Sequence, residues 1–183
     1  MKQITQDLEN LINHYKFKLD PSDKKRCFDL IKNNKEFFFN RSHFSDGHFT
    51  TSALLLNKPQ DMVLLTHHIF LNQWLQLGGH FEEDISILDS AIREAKEESG
   101  INEIYPITTD LINIDIHHIP ENKNKSEPSH FHYDLIFLLG TDVEKFKISE
   151  ESLDLKWFKF DEISKFGNRS LKNSVLNAKS YLI

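Results

Sequence analysis

The stretch that decides the fold is Trp74–Ile101, WLQLGGHFEEDISILDSAIREAKEESGI. It opens with an apolar run typical of a strand, is expected to turn at Gly78-Gly79, and crosses an acidic loop at 82–84. A helix then follows and stops at Gly100. Apolar residues recur along this helix at intervals of three and four, so one face should pack against a sheet. The residues of that face are Ile87, Leu88, Ala91, Ile92 and Ala95.

Three glutamates occupy another face of the same helix. Glu94, Glu97 and Glu98 stand at positions i, i+3 and i+4, so their carboxylates project from neighbouring points and repel one another. A hard divalent cation with oxygen ligands would neutralise that repulsion, which predicts a Mg²⁺ or Mn²⁺ site. The alternative is a solvated acidic face, which is common on surface helices.

The same stretch agrees with a longer spaced pattern. The matching positions are Gly79, Arg93, Glu94, Ala95, Glu97, Glu98, Gly100 and Ile101. In this it resembles the Nudix box, a glycine followed by five residues, a glutamate, seven residues, and Arg-Glu-apolar-any-Glu-Glu-any-Gly-apolar. One position departs from the box. Ile85 stands where the first glutamate is expected, and Asp84, immediately before it, offers a carboxylate in its place.

The resemblance covers roughly Phe44 to the C-terminus and implies a fold and an activity. The fold would be of the α/β (α+β) type, a Nudix-like α/β/α sandwich with a mixed sheet. The activity would be that of a metal-dependent pyrophosphohydrolase, in which water cleaves a nucleoside diphosphate linked to another group. Phosphoanhydride hydrolysis needs charge neutralised on the phosphate oxygens and the water held in line, and metals held by carboxylates supply both.

The resemblance also implies roles for individual residues. The carbonyl group of Gly78 and the glutamates Glu94, Glu97 and Glu98 would bind the metal. One of these carboxylates, or Glu151 from a later loop, would orient or deprotonate the attacking water; for Glu151 a solvated loop residue is the competing interpretation. Arg93 points to a different angle of the helix, so we expect it to orient the acidic loop rather than contact the substrate.

The ten histidines of the chain raise two further possibilities. A zinc site is disfavoured, because no histidine pair has the short helical spacing of catalytic zinc sites and no cysteine assists. His80 follows Gly79 directly, and His130 and His132 share one side of a strand, so these three are our candidates for substrate binding. Ordinary histidines on a polar face are the alternative.

Composition limits the class of protein. The chain has 183 residues, 39% of them hydrophobic and 27% charged, and a net charge of −6. Dispersed Lys and Arg argue against binding to long nucleic acid, and the absence of a long apolar run argues against a membrane span. A polar N-terminus and the single Cys27 predict a cytoplasmic location. The partner that the resemblance implies is a small molecule, a nucleoside diphosphate derivative.

Two helices should precede the main domain. Apolar residues repeat at helical spacing from Ile4 to Leu19, and Asp20-Pro21 predicts the start of a second helix running towards Phe37. We place an N-terminal helical extension at 1–44 and the Nudix-like domain at 45–183. The extension would form a hairpin that packs on the domain or on a second copy of the chain, so a homodimer is possible.

Two other functions compete with hydrolysis. A Nudix-fold module that binds a nucleotide without turnover is motivated by Ile85, although the intact Arg93-Glu94 and Glu97-Glu98 pairs favour an enzyme. A diphosphate isomerase of similar fold finds no supporting cysteine. The identity of the substrate does not follow from the sequence, because variable loops such as Pro120–Ser129 would read it.

Overall fold

The computed structural model describes residues 2–34, 37–82, 84–123, 125–149 and 152–182. The helices are α1 (Lys2–Asn13), α2 (Pro21–Asn33), α3 (Ile87–Ser99), α4 (Phe160–Phe166) and α5 (Arg169–Lys179). The strands are β1 (His48–Leu56), β2 (Met62–His68), β3 (Gln73–Leu75), β4 (Leu77–His80), β5 (Ile104–Ile119), β6 (His130–Thr141) and β7 (Ser152–Lys159). In the described part of the chain, no helix has both the length and the apolar character that crossing a membrane requires.

The strands form one mixed sheet. Its main path runs β3-β2-β1-β6-β5, with β4 paired to β1 and β7 paired to β2. β1 and β6 are parallel, so that His48 is opposite His132 and Thr50 is opposite Asp134. β4 is antiparallel to β1, which places His80 opposite Thr50. These two pairings bring three distant segments together at one end of β1.

Alternation along the strands separates two apolar cores. Leu135 and Phe137 of β6 face the core under α1, α2 and α3, whereas Ile136 and Leu138 face the core under α4 and α5. The sheet is therefore covered on both faces, and the predicted α/β/α sandwich with a mixed sheet is confirmed.

Helix α3 begins and ends as the sequence predicts. The Ser86 side chain accepts a hydrogen bond from the backbone N–H of Asp89 at the N-terminus. Gly100 closes the helix in the left-handed conformation, with φ of 66°, a geometry that glycine adopts without a steric penalty. Ile87, Ala91 and Ala95 are buried against the sheet, which fixes the rotation of the helix and hence the direction of its glutamates.

The N-terminal helices share the core of α3. Leu8 and Ile12 of α1 and Cys27 of α2 are fully buried in it. Helix α2 begins at Pro21, with Asp20 as its cap, as expected. Helix α1 ends at Asn13 rather than near Leu19, but the segment that follows still packs on this core through Tyr15 and Leu19.

The expected turn at the glycine pair was wrong. Gly78-Gly79 does not turn: it lies in β4 and pairs with Thr51 and Ser52 of β1. Strand β5 is long, and its pairing with β6 is irregular between Pro106 and Asn113. His67 and His68 complete β2.

Candidate active site

The guanidinium group of Arg93 organises the acidic end of α3. Its Nε and Nη2 atoms donate to the two carboxylate oxygens of Asp84 at 2.9 and 3.0 Å. Its Nη1 atom donates to Glu94 at 2.9 Å and to Glu97 at 3.0 Å. Nη2 also donates to the carbonyl oxygen of His80 at 2.8 Å. One cation thus joins the acidic loop, the helix and strand β4.

Asp84 supplies the carboxylate that Ile85 lacks. Burial is the largest single influence on the pKa of Asp84 and raises it, but the hydrogen bonds from Arg93 and the backbone of Glu82, together with the charge of Arg93, lower it below its ordinary value. The Ile85 side chain is 94% exposed and points away from the core. The fork-to-fork pairing of Arg93 with a carboxylate is therefore kept, but one residue earlier in the chain.

Glu94 is pressed against the backbone of β4. A Cβ atom at Gly79 would lie 2.5 Å from Oε2 of Glu94, so only glycine leaves room for this carboxylate. Burial raises the pKa of Glu94 to about 7, although Arg93 beside it acts in the opposite direction. In the metal-free protein this carboxyl group therefore exchanges a proton near neutral pH.

The other two glutamates have different surroundings. Glu98 is buried, and its carboxylate accepts a hydrogen bond from the backbone N–H of Gly78 at 2.9 Å. The Glu97 side chain is 59% exposed and is held by Arg93. Glu94 and Glu98 thus face the glycine pair of β4, and Glu94 and Glu97 contact Arg93.

This donor set suits a hard divalent cation. Arg93 forms ion pairs with three carboxylates, so the cluster around it carries excess negative charge, and all its ligand atoms are oxygens. The three glutamates do not yet converge within 4.8 Å of one another; among the described residues, only a set of histidines does. For the three carboxylates to gather around one cation, Glu97 would have to leave Arg93 and Glu98 would have to leave the backbone N–H of Gly78.

Histidines from three strands meet beside this site. The ring of His48 lies 5.1 Å from that of His80, 5.1 Å from that of His130 and 4.7 Å from that of His132, measured between centroids. The Nε2 atoms of His130 and His132 are 3.0 Å apart. His117 approaches His132 from β5 at 5.7 Å. We call His48, His80, His130 and His132 the histidine cluster.

Burial keeps much of the histidine cluster neutral. It lowers the pKa of His48 to about 4 and that of His80 to about 3, and it lowers the pKa of His132 further, with the neighbouring histidines adding to each effect. His117 behaves differently. Burial is the largest single influence and lowers its pKa, but the hydrogen bond to Asp115, at 2.9 Å, and the charges of Asp134 and Asp115 together raise that pKa above its ordinary value.

A buried carboxyl group lies next to the cluster. Asp134 follows His132 by two residues on the same face of β6 and accepts hydrogen bonds from Ser52, Thr50 and Gln76 at 2.8 to 3.0 Å. Burial raises the pKa of Asp134. The Oε1 atom of Gln76 is buried without a hydrogen-bond partner among the described residues.

The structure brings most of the predicted site residues together. Arg93 connects Glu94 and Glu97 to residue 80, and His80, His130 and His132 meet in one cluster. Glu151, like Glu83 of the acidic loop, lies outside the described residues. The sequence interpretation missed His48, because only the parallel pairing of β1 with β6 places it opposite His132. Its position at the start of a strand gave no other signal.

The fold and this constellation define a class of protein. The NUDIX domain model matches residues 47–178, and the chain belongs to this family. The resemblance identified in the sequence is thereby confirmed, and the family is one of hydrolases.

Individual relatives agree with this assignment. The chain is 26% identical over 144 residues to the probable DHNTP pyrophosphohydrolase of Lactococcus lactis subsp. cremoris (strain MG1363), covering 78% of this chain and 84% of that protein. A NUDIX-family hydrolase from Clostridium perfringens has a similar structure, with 28% identity, a TM-score of 0.50, and coverage of 73% of this chain and 95% of the other. The E. coli dihydroneopterin triphosphate pyrophosphohydrolase shares the fold at 15% identity, with a TM-score of 0.54 and coverage of 73% and 94%.

Proposed function

We propose that this chain is a metal-dependent pyrophosphohydrolase that cleaves the phosphoanhydride bond of a nucleoside diphosphate linked to another group. The observation that carries the proposal is the Arg93 network, in which Asp84 takes the place that Ile85 vacates. Because this network holds Glu94 and Glu97 in place, the departure from the box removes neither the acidic helix face nor its anchor.

Mg²⁺ or Mn²⁺ would be held by Glu94, Glu97 and Glu98, with the carbonyl group of Gly78 as a further oxygen ligand. When bound, the ion supplies charge neutralisation to the phosphate oxygens and lowers the pKa of water. The acid-rich, oxygen-only donor set supports this choice of cation. Glu97 would leave its ion pair with Arg93 to reach the ion, and its exposed position gives it room for that movement.

The residues of the chain divide the remaining work. Arg93 is a positioning residue, because its donors are occupied by Asp84, Glu94, Glu97 and the backbone of His80. Glu94 accepts the proton of the attacking water at a carboxylate oxygen, and Glu151 is kept as the alternative acceptor. His80, His130 and His132 face the substrate and bind its phosphate or sugar groups.

A second substrate candidate comes from the relative in Lactococcus lactis, whose name gives DHNTP as its substrate. The alignment covers 84% of that protein. A triphosphate presents the same phosphoanhydride chemistry to the carboxylates, so DHNTP belongs in the first substrate panel beside nucleoside diphosphate derivatives.

The experiment is a phosphate-release assay on the substrate panel with and without Mg²⁺ or Mn²⁺. We expect release by the wild type that requires metal and falls by at least about 100-fold in Glu98→Gln. Glu103→Gln, an exposed glutamate outside the site, is the matched control and should retain activity. Thermal stabilisation by a ligand without release by the wild type would support a binding module instead.

The setting of the enzyme follows from the same proposal. Its partner would be a small phosphorylated molecule rather than long nucleic acid or a membrane, and its location would be the cytoplasm. Cys27 is buried and burial raises the pKa of its thiol to about 12, so this cysteine is an unreactive core residue, consistent with a reducing compartment. A homodimer and the division at 44/45 remain predictions.

A further inference from the structure

Three histidines of the cluster have the arrangement of metal ligands. His48, His130 and His132 each offer a ring nitrogen, and these three atoms lie within 4.8 Å of one another. Two imidazole nitrogens on a tetrahedral zinc ion, each about 2.0–2.1 Å from it, are separated by about 3.3 Å. The Nε2 atoms of His130 and His132 are already 3.0 Å apart.

Hydrogen bonds to the backbone fix which nitrogen is available. The Nδ1 atom of His130 lies 2.8 Å from the carbonyl oxygen of Pro128, and that of His48 lies 3.3 Å from the carbonyl oxygen of His43. A carbonyl only accepts, so both Nδ1 atoms carry the proton and both Nε2 atoms present a lone pair. Histidines that ligate a metal usually make this bond from the other ring nitrogen to a carbonyl or carboxylate.

One of these lone pairs is unused. His48 is fully buried, and its Nε2 atom has no hydrogen-bond partner among the described residues. A buried polar atom left in this way is destabilising, and a cation at the centre of the cluster would satisfy it. His132 would have to move its Nε2 proton to Nδ1 in order to ligate, since it now shares a hydrogen bond with His130.

We propose that His48, His130 and His132 form a second metal site, for a borderline divalent cation of the zinc class, separate from the glutamate site on α3. Imidazole nitrogen suits Zn²⁺, whereas Mg²⁺ prefers oxygen, so the two sites select different ions. Three protein ligands leave the fourth position open to water or to a phosphate oxygen of the substrate. His130 and His132 would then contact the substrate through the metal ion that they hold.

The two sites meet at one residue. The backbone carbonyl oxygen of His80 binds Arg93, while its ring packs against His48 and His132 at 5.1 and 5.3 Å. The zinc-class site nevertheless does not depend on phosphoanhydride hydrolysis. Binding of Zn²⁺ alone tests it, whatever the outcome of the activity assay.

The test measures Zn²⁺ binding to the metal-stripped full chain by equilibrium dialysis with elemental analysis and by competition with a chromogenic chelator. The wild type should retain one equivalent. His48→Gln and His132→Gln should each weaken binding by at least about 100-fold, since losing even an outer-shell partner weakens metal binding by about 10- to 100-fold. His118→Gln, an exposed histidine outside the cluster, is the matched control and should bind as the wild type does.

A double variant, Glu97→Gln with Glu98→Gln, separates the two sites. It should keep Zn²⁺ affinity within a few-fold while losing stabilisation by Mg²⁺. Loss of Zn²⁺ binding in this variant would assign the ion to the glutamates and overturn the proposal. So would equal binding by the histidine variants, or no retained equivalent in the wild type.

A measurement on the wild type covers the case in which a histidine variant does not fold. Nitrogen-15 spectra of the histidine side chains distinguish ligating from free nitrogens. Addition of Zn²⁺ should shift the Nε2 resonances of three histidines and move the proton of His132 to Nδ1. Unchanged histidine spectra in the presence of one equivalent of Zn²⁺ would contradict the proposal.

Discussion

The carboxylates of α3 and the histidine cluster both contact strand β4 and have opposite electrostatic properties. The carboxylates repel one another, and Arg93 forms ion pairs with two of them, Glu94 and Glu97, and with Asp84 of the acidic loop. The histidines are crowded and buried, so the pKa values of His48, His80 and His132 are lowered. One region has excess negative charge, and the other has a buried ring nitrogen, Nε2 of His48, without a hydrogen-bond partner among the described residues. A different kind of cation would complete each.

The comparison also predicts opposite responses to pH. Burial disfavours the charged form in both regions, but that form is the deprotonated one for Glu94 and the protonated one for the histidines. Lowering the pH should therefore reduce the contribution of the buried histidines to folding stability. Raising the pH should reduce the contribution of Glu94. The variants below separate these effects.

The largest effect is expected from Arg93→Lys. Lysine cannot reproduce the forked pairing with Asp84 and also reach Glu94, Glu97 and the carbonyl of His80. Lysine keeps the charge but leaves several of these hydrogen bonds unmade, and a hydrogen bond to a charged group contributes about 1.5–3 kcal/mol, so we expect a loss of about 3 kcal/mol in urea unfolding. Metal-dependent kcat/KM should fall by about 100-fold or more, because a small displacement of catalytic groups costs that much.

The control for that variant is Arg169→Lys. Arg169 is 79% exposed and lies 3.8 Å from Asp115, so the same exchange should change stability and activity little. If Arg93→Lys behaved like Arg169→Lys, the view that one guanidinium organises the carboxylate side would be wrong.

His48→Gln should reduce the acid sensitivity of the metal-free protein. The ordinary pKa of histidine, 6.5, is lowered to about 4 for His48, so the unfolded chain binds more protons between these pH values. Stability is therefore lost as the pH falls from 6.5 to 4, by roughly 3 kcal/mol for this residue. The measurement is denaturant unfolding at several pH values with a chelator present. The loss of unfolding free energy on acidification should be smaller in His48→Gln than in the wild type, and in His118→Gln it should equal that of the wild type.

Glu94→Gln should alter the opposite side of the pH profile. The folded-state pKa of about 7 lies above the ordinary 4.5, so the folded protein binds more protons and stability falls as the pH rises through this interval. The variant lacks that loss. In metal-free protein it should gain roughly 2–3 kcal/mol relative to the wild type between pH 4 and pH 8. Parallel unfolding curves for Glu94→Gln and the wild type would contradict the assignment, and Glu103→Gln is the control.

The carboxylate side could be predicted from the sequence because its geometry is local. The spacing of Glu94, Glu97 and Glu98 within one helix fixes their common face, and Gly100 marks its end. Asp84 is also close to Arg93 in sequence, so its role in place of the missing glutamate could be foreseen. These relations depend on helical periodicity and short loops rather than on the tertiary fold.

The histidine cluster could not be assembled in the same way. It depends on the parallel pairing of β1 with β6 and on the antiparallel pairing of β1 with β4, neither of which the local pattern specifies. The Gly78-Gly79 error has a related cause. Paired glycines usually indicate a turn, but here they let β4 approach Ser52 on one strand and Glu94 on the helix, where a Cβ atom would collide with either.

Ile85→Glu should have the smallest effect, and it tests whether the departure from the box matters. The glutamate would restore the family residue at a position that is 94% exposed. The Nε and Nη2 atoms of Arg93 already donate to both carboxylate oxygens of Asp84. An added exposed charge changes stability by no more than about 0.5 kcal/mol. Mg²⁺-dependent kcat/KM should therefore stay within about threefold of the wild type, whereas Asp84→Asn, which removes the bound carboxylate, should lower it by at least about tenfold.

A large gain from Ile85→Glu would mean that Asp84 only partly replaces the missing glutamate. The double variant Ile85→Glu with Asp84→Asn decides between the two positions, because it recovers activity only if a carboxylate at 85 reaches Arg93.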